Sequence, residues 1–458
     1  MRIVVIGGGI AGLAAAWFAA ERSPNAEVLV IEQGATVGGK LRVAEVAGQP
    51  VDVGAEAILA RRPEAVDLVH RVGLGDHLIY PQTTAARVYA GRRVHPLPGK
   101  TIMGIPSDIG ELRGSGLLSD AAIAAVVNEP VAKPLDPLLE DVSVGGLVRN
   151  RLGDEVVDRL VDPMVGGVYA GRADGISLRA ALPVLADRLR NGGSLVEAAQ
   201  AVTDIGTHAP GPSPVFAALA GGVGRLPAAL ASSARFAART HTVVRSLART
   251  PTGFILETGA VPASKRIVAD AVVVATPAAK AAMLLRDVVP IASAELARIE
   301  TASVAIVTLA YRQVSLPPGS GLLIAAGEPF AVHGITFTSQ KWPGSAAGMA
   351  VLRASIGRAG GARDLQRDDS ELIATVRREL RALIGITAEP IDALVTRWGG
   401  GLPQYAVGHV ERVARIRPAV ANVPRLAVCG ATYDGVGIPA CIASARLAVD
   451  QIVRSPAA

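Results

Sequence analysis

One local pattern, a strand, a glycine-rich turn and a helix, occurs at both ends of this chain and limits what it can fold into. Residues 2–20, "RIVVIGGGIAGLAAAWFAA", pass from an apolar run at Ile3–Ile6 through glycines into an Ala/Leu-rich helix. Residues 425–446, "RLAVCGATYDGVGIPACIASAR", repeat the pattern, with the helix expected to begin near Ile438 and Pro439. The first copy carries G-x-G-x-x-G as Gly7, Gly9 and Gly12. A second apolar strand, Val28–Ile31, ends at Glu32, 20 residues after Gly12. In that spacing the glycines admit a pyrophosphate to the backbone. The anion rests on the helix N-terminus at Ile10 and Ala11, and the acid hydrogen-bonds a ribose. An acid at position 32, where Arg or Lys would be needed for a 2′-phosphate, disfavours NADP.

Residues 3–20 are uncharged and could be mistaken for a signal peptide or a membrane span. Glycines at 7, 8, 9 and 12 argue against one continuous helix, since each costs roughly 1 kcal/mol against Ala. Attachment to a membrane is expected to be peripheral at most. Lys and Arg exceed Asp and Glu by 46 to 40, giving a net charge of +6, but they are scattered and form no basic stripe. With aromatics at 3%, base stacking has little to work with, so no nucleic-acid partner is expected. Arg outnumbers Lys by 40 to 6, and guanidinium forks suit carboxylate ligands. The two cysteines, Cys429 and Cys441, permit no disulfide framework or zinc spacing, which points to the cytoplasm and to no metal.

After Glu32 an NAD enzyme would continue with further βαβ units. This chain instead inserts a Gly38-Gly39 turn followed by Lys40, Leu41 and Arg42, then a short β excursion reaching Gly54, Ala55 and Glu56. The arrangement resembles the flavin-containing amine oxidase superfamily, which implies FAD. A cofactor of that length needs a second support. Gly430, Val436, Gly437 and Ile438 are expected to give one, with the last helix presenting its positive end to the flavin. Residues 238–247 and 253–258 read as a strand pair in which the resemblance places Val243 against the adenine. "DAVVVATPA", residues 270–278, reads as a buried parallel strand ending at Thr276.

Five further stretches, "DVGAEAILARRPEAVDLVHRVGLGD" (52–76), "HPLPGKTIMGIP" (95–106), "RLVDPMVGGVYAGRADGISLRAALP" (159–183), "WGGGLPQYAVGHVERV" (398–413) and "GATYDGVGIPACI" (430–442), resemble the FAD-dependent protoporphyrinogen and coproporphyrinogen oxidases of haem synthesis over nearly the whole length. The resemblance implies an α/β + α fold. It would comprise a Rossmann-like FAD domain of amine-oxidase type (1–80, 211–295, 396–458), a mixed-sheet substrate domain (81–100, 296–395) and an inserted helical lobe (101–210). It implies removal of six hydrogens from a porphyrinogen in three two-electron steps, with oxygen as acceptor and peroxide as product. No side chain is singled out as a general base.

For the substrate, the resemblance places Gly167 near the reacting carbon, Leu323 and Ile356 on either side of the ring, and Met103 at the cavity border. Arg87 is the first candidate cation for a propionate, with Arg172 and Arg92 behind it. His409 reads as structural. The expected substrate is coproporphyrinogen III, with protoporphyrinogen IX as the alternative and the next haem-pathway enzyme as a possible partner. The rival enzymes are an amine oxidase or a carotenoid-desaturase-like flavoenzyme, and an amine oxidase would carry a lysine near Ile306, where this chain is apolar. A porphyrin carrier would bind without reducing its flavin.

Overall fold

Five strands scattered along the sequence converge on one parallel sheet. The computed structural model describes residues 1–132, 140–207, 214–344 and 348–454. The sheet runs in the order Ala237–Arg239, Glu27–Ile31, Arg2–Ile6, Ala271–Val274, Leu426–Val428, with every pairing parallel. Its inner strands are unbroken Val/Ile/Leu/Ala runs, which are stable only when both faces are covered. On one face, Ile3, Val5 and Val273 share a core with the helices Ile10–Arg22 and Ile438–Arg454. On the other, Val4, Ile6 and Val272 pack with Ala278–Leu285, Pro290–Ala297 and His409–Ala421. The two glycine turns therefore open at the same edge of the same sheet. Residues 3–20 divide into a strand and a helix, and among the described residues no helix is long and apolar enough to cross a membrane.

The expected strand pair is present as Val244–Thr250 against Gly253–Thr258, joined by Lys265–Ala269. Its expected first residues behave differently. Ala237–Arg239 leave the pair and extend the parallel sheet beside Leu29–Ile31.

A seven-stranded mixed sheet lies beyond, ordered Asp392–Pro403, Thr301–Tyr311, Ala350–Ile356, Val332–Thr336, Gly321–Ile324, Ala86–Ala90, Arg93–Pro96. Its pairings are antiparallel except Gly321–Ile324 with Ala86–Ala90. Strand alternation sorts its residues. Leu352, Ala354 and Ile356, with Ala305, Val307 and Leu309, face the helix Asp369–Ile384. Arg353 and Ser355, with Ile306 and Thr308, face the other way, the side on which Arg353 reaches Gly54 and Glu56. Helices between Ile109 and Thr207 enclose a separate core that takes in Val88, Ala90 and Tyr405.

The strand Asp392–Pro403 crosses the expected domain boundary at 395/396, because it pairs with Thr301–Tyr311 on both sides of that point. The boundary expected at 210/211 lies outside the described residues, as does part of the expected helical lobe.

Candidate active site

Glu32 organises the first glycine turn before any ligand is considered. Its Oε2 accepts from the Gly8 amide at 2.7 Å and its Oε1 from the Gly34 amide at 2.6 Å. Each oxygen retains a lone pair for a ribose hydroxyl. The Thr242 amide donates to the Glu32 carbonyl at 2.9 Å, which brings Val243 alongside. Gly12 is needed for packing, since a β-carbon there would lie 1.9 Å from the Gly7 carbonyl oxygen. Gly9 is needed for access, since a β-carbon there would meet nothing within 4 Å. The second Gly-Gly turn is laid over the first. The Gly38 amide donates to the Gly8 carbonyl at 2.7 Å, and Gly9 and Gly38 form a parallel bridge.

Residues 40–42 are knitted to residues 53–55, with Ala55 donating to the Lys40 carbonyl and Val53 to that of Arg42. The Arg42 guanidinium stacks 4.9 Å above Trp398, whose indole N–H donates to the Val53 carbonyl at 2.9 Å.

The C-terminal turn closes the same pocket. Gly430 sits so that its β-carbon would be 3.6 Å from that of Ala11, and the buried Cys429 lies against the Ala11 carbonyl. Both cysteines are free and buried. Two polar groups here are unsatisfied. The buried Oγ1 of Thr276, whose methyl would touch a side chain at Gly7, has no hydrogen-bond partner. Lys40, whose pKa burial lowers, has no carboxylate partner among the described residues. A side-chain-free floor, an orphan hydroxyl and an unpaired ammonium are features that a dinucleotide diphosphate would complete.

The family model described as flavin containing amine oxidoreductase matches residues 10–453. The chain belongs to that family.

Within this flavin family, the chain is 38% identical to the "Coproporphyrinogen III oxidase" of Mycobacterium tuberculosis over 459 residues, covering 98% of this chain and 97% of that one. It is 31% identical to the protein of the same name from Bacillus subtilis, over 98% and 97% of the two chains. A solved structure from Exiguobacterium sp. 255-15, named "Putative protoporphyrinogen oxidase", superposes with a TM-score of 0.87 at 32% identity, covering 98% of each chain. The cofactor is FAD, and the residues around the two turns fit it.

Several residues expected at the substrate gather where the mixed sheet meets the helical core. Gly167, near the end of the helix Asp162–Tyr169, faces Leu323, and its β-carbon would be 4.0 Å from Leu323 Cδ2. Gly334, on the neighbouring strand, would place one 3.5 Å from the same methyl. Met103, Leu323 and Val436 each pack half-buried against the helical core. Ile306, paired with Ser355, is apolar.

Two expected residues are not brought there. Ile356 is 2% exposed in the core beneath the helix Asp369–Ile384, because it alternates with Ser355. Arg87 is separated from Leu323 by the sheet itself. Val88 packs into the helical core and Tyr89 into the other, so Arg87 lies on the Tyr89 face. Arg92 occupies the exposed tip between Ala86–Ala90 and Arg93–Pro96, with φ of 65°. Arg172 lies in the loop just past the Gly167 helix. Nearby, Arg358 pairs with the buried Asp162 at 2.5 Å, and His333 sits at a bulge beside Gly334. Burial, with Arg358 and Arg172 adding to it, pushes His333 down to about 4, so it is neutral at pH 7.

Sequence reasoning missed a buried ionic cluster next to the flavin turns. Glu56 accepts from Lys341 at 2.6 Å and from Arg353 at 2.5 Å, and Arg353 also donates to the Gly54 carbonyl. Burial alone would raise the Glu56 pKa, but the two cations outweigh it and hold it at about 2. Asp52, four residues earlier at the end of the strand Gln49–Asp52, has no comparable compensation. Burial pushes it up to about 6 although it accepts from the Val223 and Gly224 amides. A signal was available in "AVLRASI", where one arginine interrupts a strand that is otherwise buried and almost wholly apolar. A guanidinium in that position requires a carboxylate.

Proposed function

We propose that this chain oxidises coproporphyrinogen III to coproporphyrin III in haem synthesis, with FAD as cofactor and oxygen as acceptor. The Gly167–Leu323–Gly334 juxtaposition carries the reading. Two positions without side chains lie within contact distance of one aliphatic side chain, giving a smooth apolar surface of the kind on which a flat, apolar ring could rest. Relatives named coproporphyrinogen III oxidase, alike over nearly the whole length, support the same substrate.

FAD would be held by the turn Gly7, Gly9, Ile10, Ala11 and Gly12, with Glu32 and Val243 at its ribose and adenine end. Thr276 and the residues Gly38 to Arg42 would lie along the diphosphate, Gly54 to Glu56 beside them, and Gly430 with Val436 to Ile438 at the ring. When bound, it accepts two electrons at a time and can pass them to oxygen, so a porphyrinogen losing six hydrogens needs three rounds. This chain's own residues hold the substrate over Gly167, keep water from the apolar wall at Leu323, Met103 and Ile306, and supply charge at the edge. No base is required of the protein, because the pyrrole nitrogens of the product shed protons to solvent. Neutral His333 and apolar Ile306 fit that division of labour.

Arg172 is the cation we assign to a propionate, since it lies on the Gly167 side of the sheet and Arg87 does not. Arg172→Ala should raise KM for coproporphyrinogen III roughly tenfold, the loss expected for one charge-assisted hydrogen bond, with kcat nearly unchanged. An unchanged KM would remove Arg172 from the site. A cytoplasmic location, at most peripheral at a membrane, and delivery of the product to the next enzyme of the pathway complete the proposal.

A further inference from the structure

The run Leu402-Pro403-Gln404-Tyr405, followed by Gly408-His409, has no chemistry of its own in the proposed reaction, yet Gln404, Tyr405 and His409 are all buried, and Tyr405 lies beside the C-terminal glycine turn. Tyr405 is 1% exposed. Its hydroxyl donates to the Ala431 carbonyl at 2.6 Å and accepts from the Gly435 amide at 2.8 Å. One oxygen thus spans the C-terminal glycine turn from side to side. The ring stacks on His409 at 4.0 Å with an interplanar angle of 15°. His409 Nε2 in turn lies 3.3 Å from the Tyr433 carbonyl, a third point on the same turn. The other side of the dipeptide grips the segment that carries Gly167. Gln404 donates to the Tyr169 carbonyl at 2.7 Å, and the Ser177 amide donates to the Tyr405 carbonyl at 2.7 Å.

We propose that Tyr405 is a positioning residue that sets the shape of the 431–435 turn against the flavin and fixes its separation from Gly167. This rests on the family's flavin and on no assumption about the substrate. By tying down Ala431 and Gly435 the hydroxyl fixes the path of the turn between them, and any amide of that turn left free to point at the flavin favours the form carrying more negative charge, the reduced one. Burial pushes the phenol well above its usual range, so the O–H donor is retained throughout any working pH.

Tyr405→Phe preserves the stack on His409 and removes both hydrogen bonds. The affinity of deflavinated protein for oxidised FAD, followed by quenching of flavin fluorescence, should fall about tenfold, and that for the reduced form, obtained from the two-electron potential, by about a further tenfold. That further factor is a drop of about 30 mV in the two-electron potential. Leu380→Ala, a core change beneath the sheet, is the control. It should lower Tm while leaving affinity and potential at wild-type values. A Tyr405→Phe protein that loses Tm but keeps both flavin values would reduce Tyr405 to a packing residue and overturn the proposal, as would one unchanged in all three. Wild-type protein that takes up no FAD would sink this proposal and the flavin assignment together. Wild-type protein that binds FAD normally but leaves porphyrinogens alone would sink only the substrate reading.

Discussion

Gly12→Val yields a colourless protein. The β-carbon would lie 1.9 Å from the Gly7 carbonyl oxygen, against an ordinary contact of 3.4 Å or more. The obstacle is backbone, so no side chain can rotate away. Helix propensity runs the other way. Replacing a glycine inside the helix Ile10–Arg22 should itself gain a few tenths of a kcal/mol up to about 1. An overlap of this depth costs several times that, and the only relief is to move the helix off the turn. Its N-terminus then no longer points at the diphosphate. The expected result is FAD affinity lowered by ~100-fold or more, read from the ratio of flavin to protein absorbance after purification, while far-ultraviolet circular dichroism shows the helices retained. Yellow protein with full occupancy would mean that the first turn does not hold the cofactor.

Glu56→Ala is expected to give the largest loss of stability of any single polar change near the site. It strands two buried cations, Lys341 and Arg353, and breaking such a cluster by removing one partner costs about 3–5 kcal/mol. Chemical denaturation at pH 7 would show it as a shifted midpoint. The pH dependence supplies a second signature. Glu56 is held at about 2 in the folded chain against 4.5 ordinarily, so its contribution is complete above about 4.5 and fades as pH falls toward 2. The difference in stability between wild type and Glu56→Ala should therefore be constant from pH 5 to 8 and shrink below pH 4.5. A difference that stayed flat into acid would show that the carboxylate is not ionised by its neighbours.

The parallel sheet was legible in the sequence because its information is local. Runs such as "RIVVI" and "AVVV" are long enough and apolar enough to declare themselves, and the glycine spacing locates the turn between strand and helix. The meeting of the two chain ends was also legible, since a second turn of the same grammar needs a partner. What the sequence hid depends on the faces of the seven-stranded sheet. Arg87 and Ile356 are one residue out of phase with the site, and period-two alternation turns a slip of one position into the opposite face. Nothing local to "ARVYA" or "AVLRASI" tells which face will be covered by the helix Asp369–Ile384. Glu56, Lys341 and Arg353 come together from positions nearly three hundred residues apart, a pairing visible only once Gly54 is laid beside the sheet. Tyr405 was seen as part of a diagnostic run, but its hydrogen bonds to Ala431 and Gly435 depend on where the last turn comes to rest.

Oxidation of a large tetrapyrrole over Gly167, by a flavin held between the two turns, is the proposed reaction. Its most direct test is porphyrin fluorescence growth in air with FAD-loaded protein, given coproporphyrinogen III and protoporphyrinogen IX in parallel, with protein-free samples setting the autoxidation rate. A rise above autoxidation is expected with both, with kcat/KM higher for the tetracarboxylate and that preference lost in Arg172→Ala. No rise above autoxidation with either substrate, from protein that is yellow and folded, would contradict it.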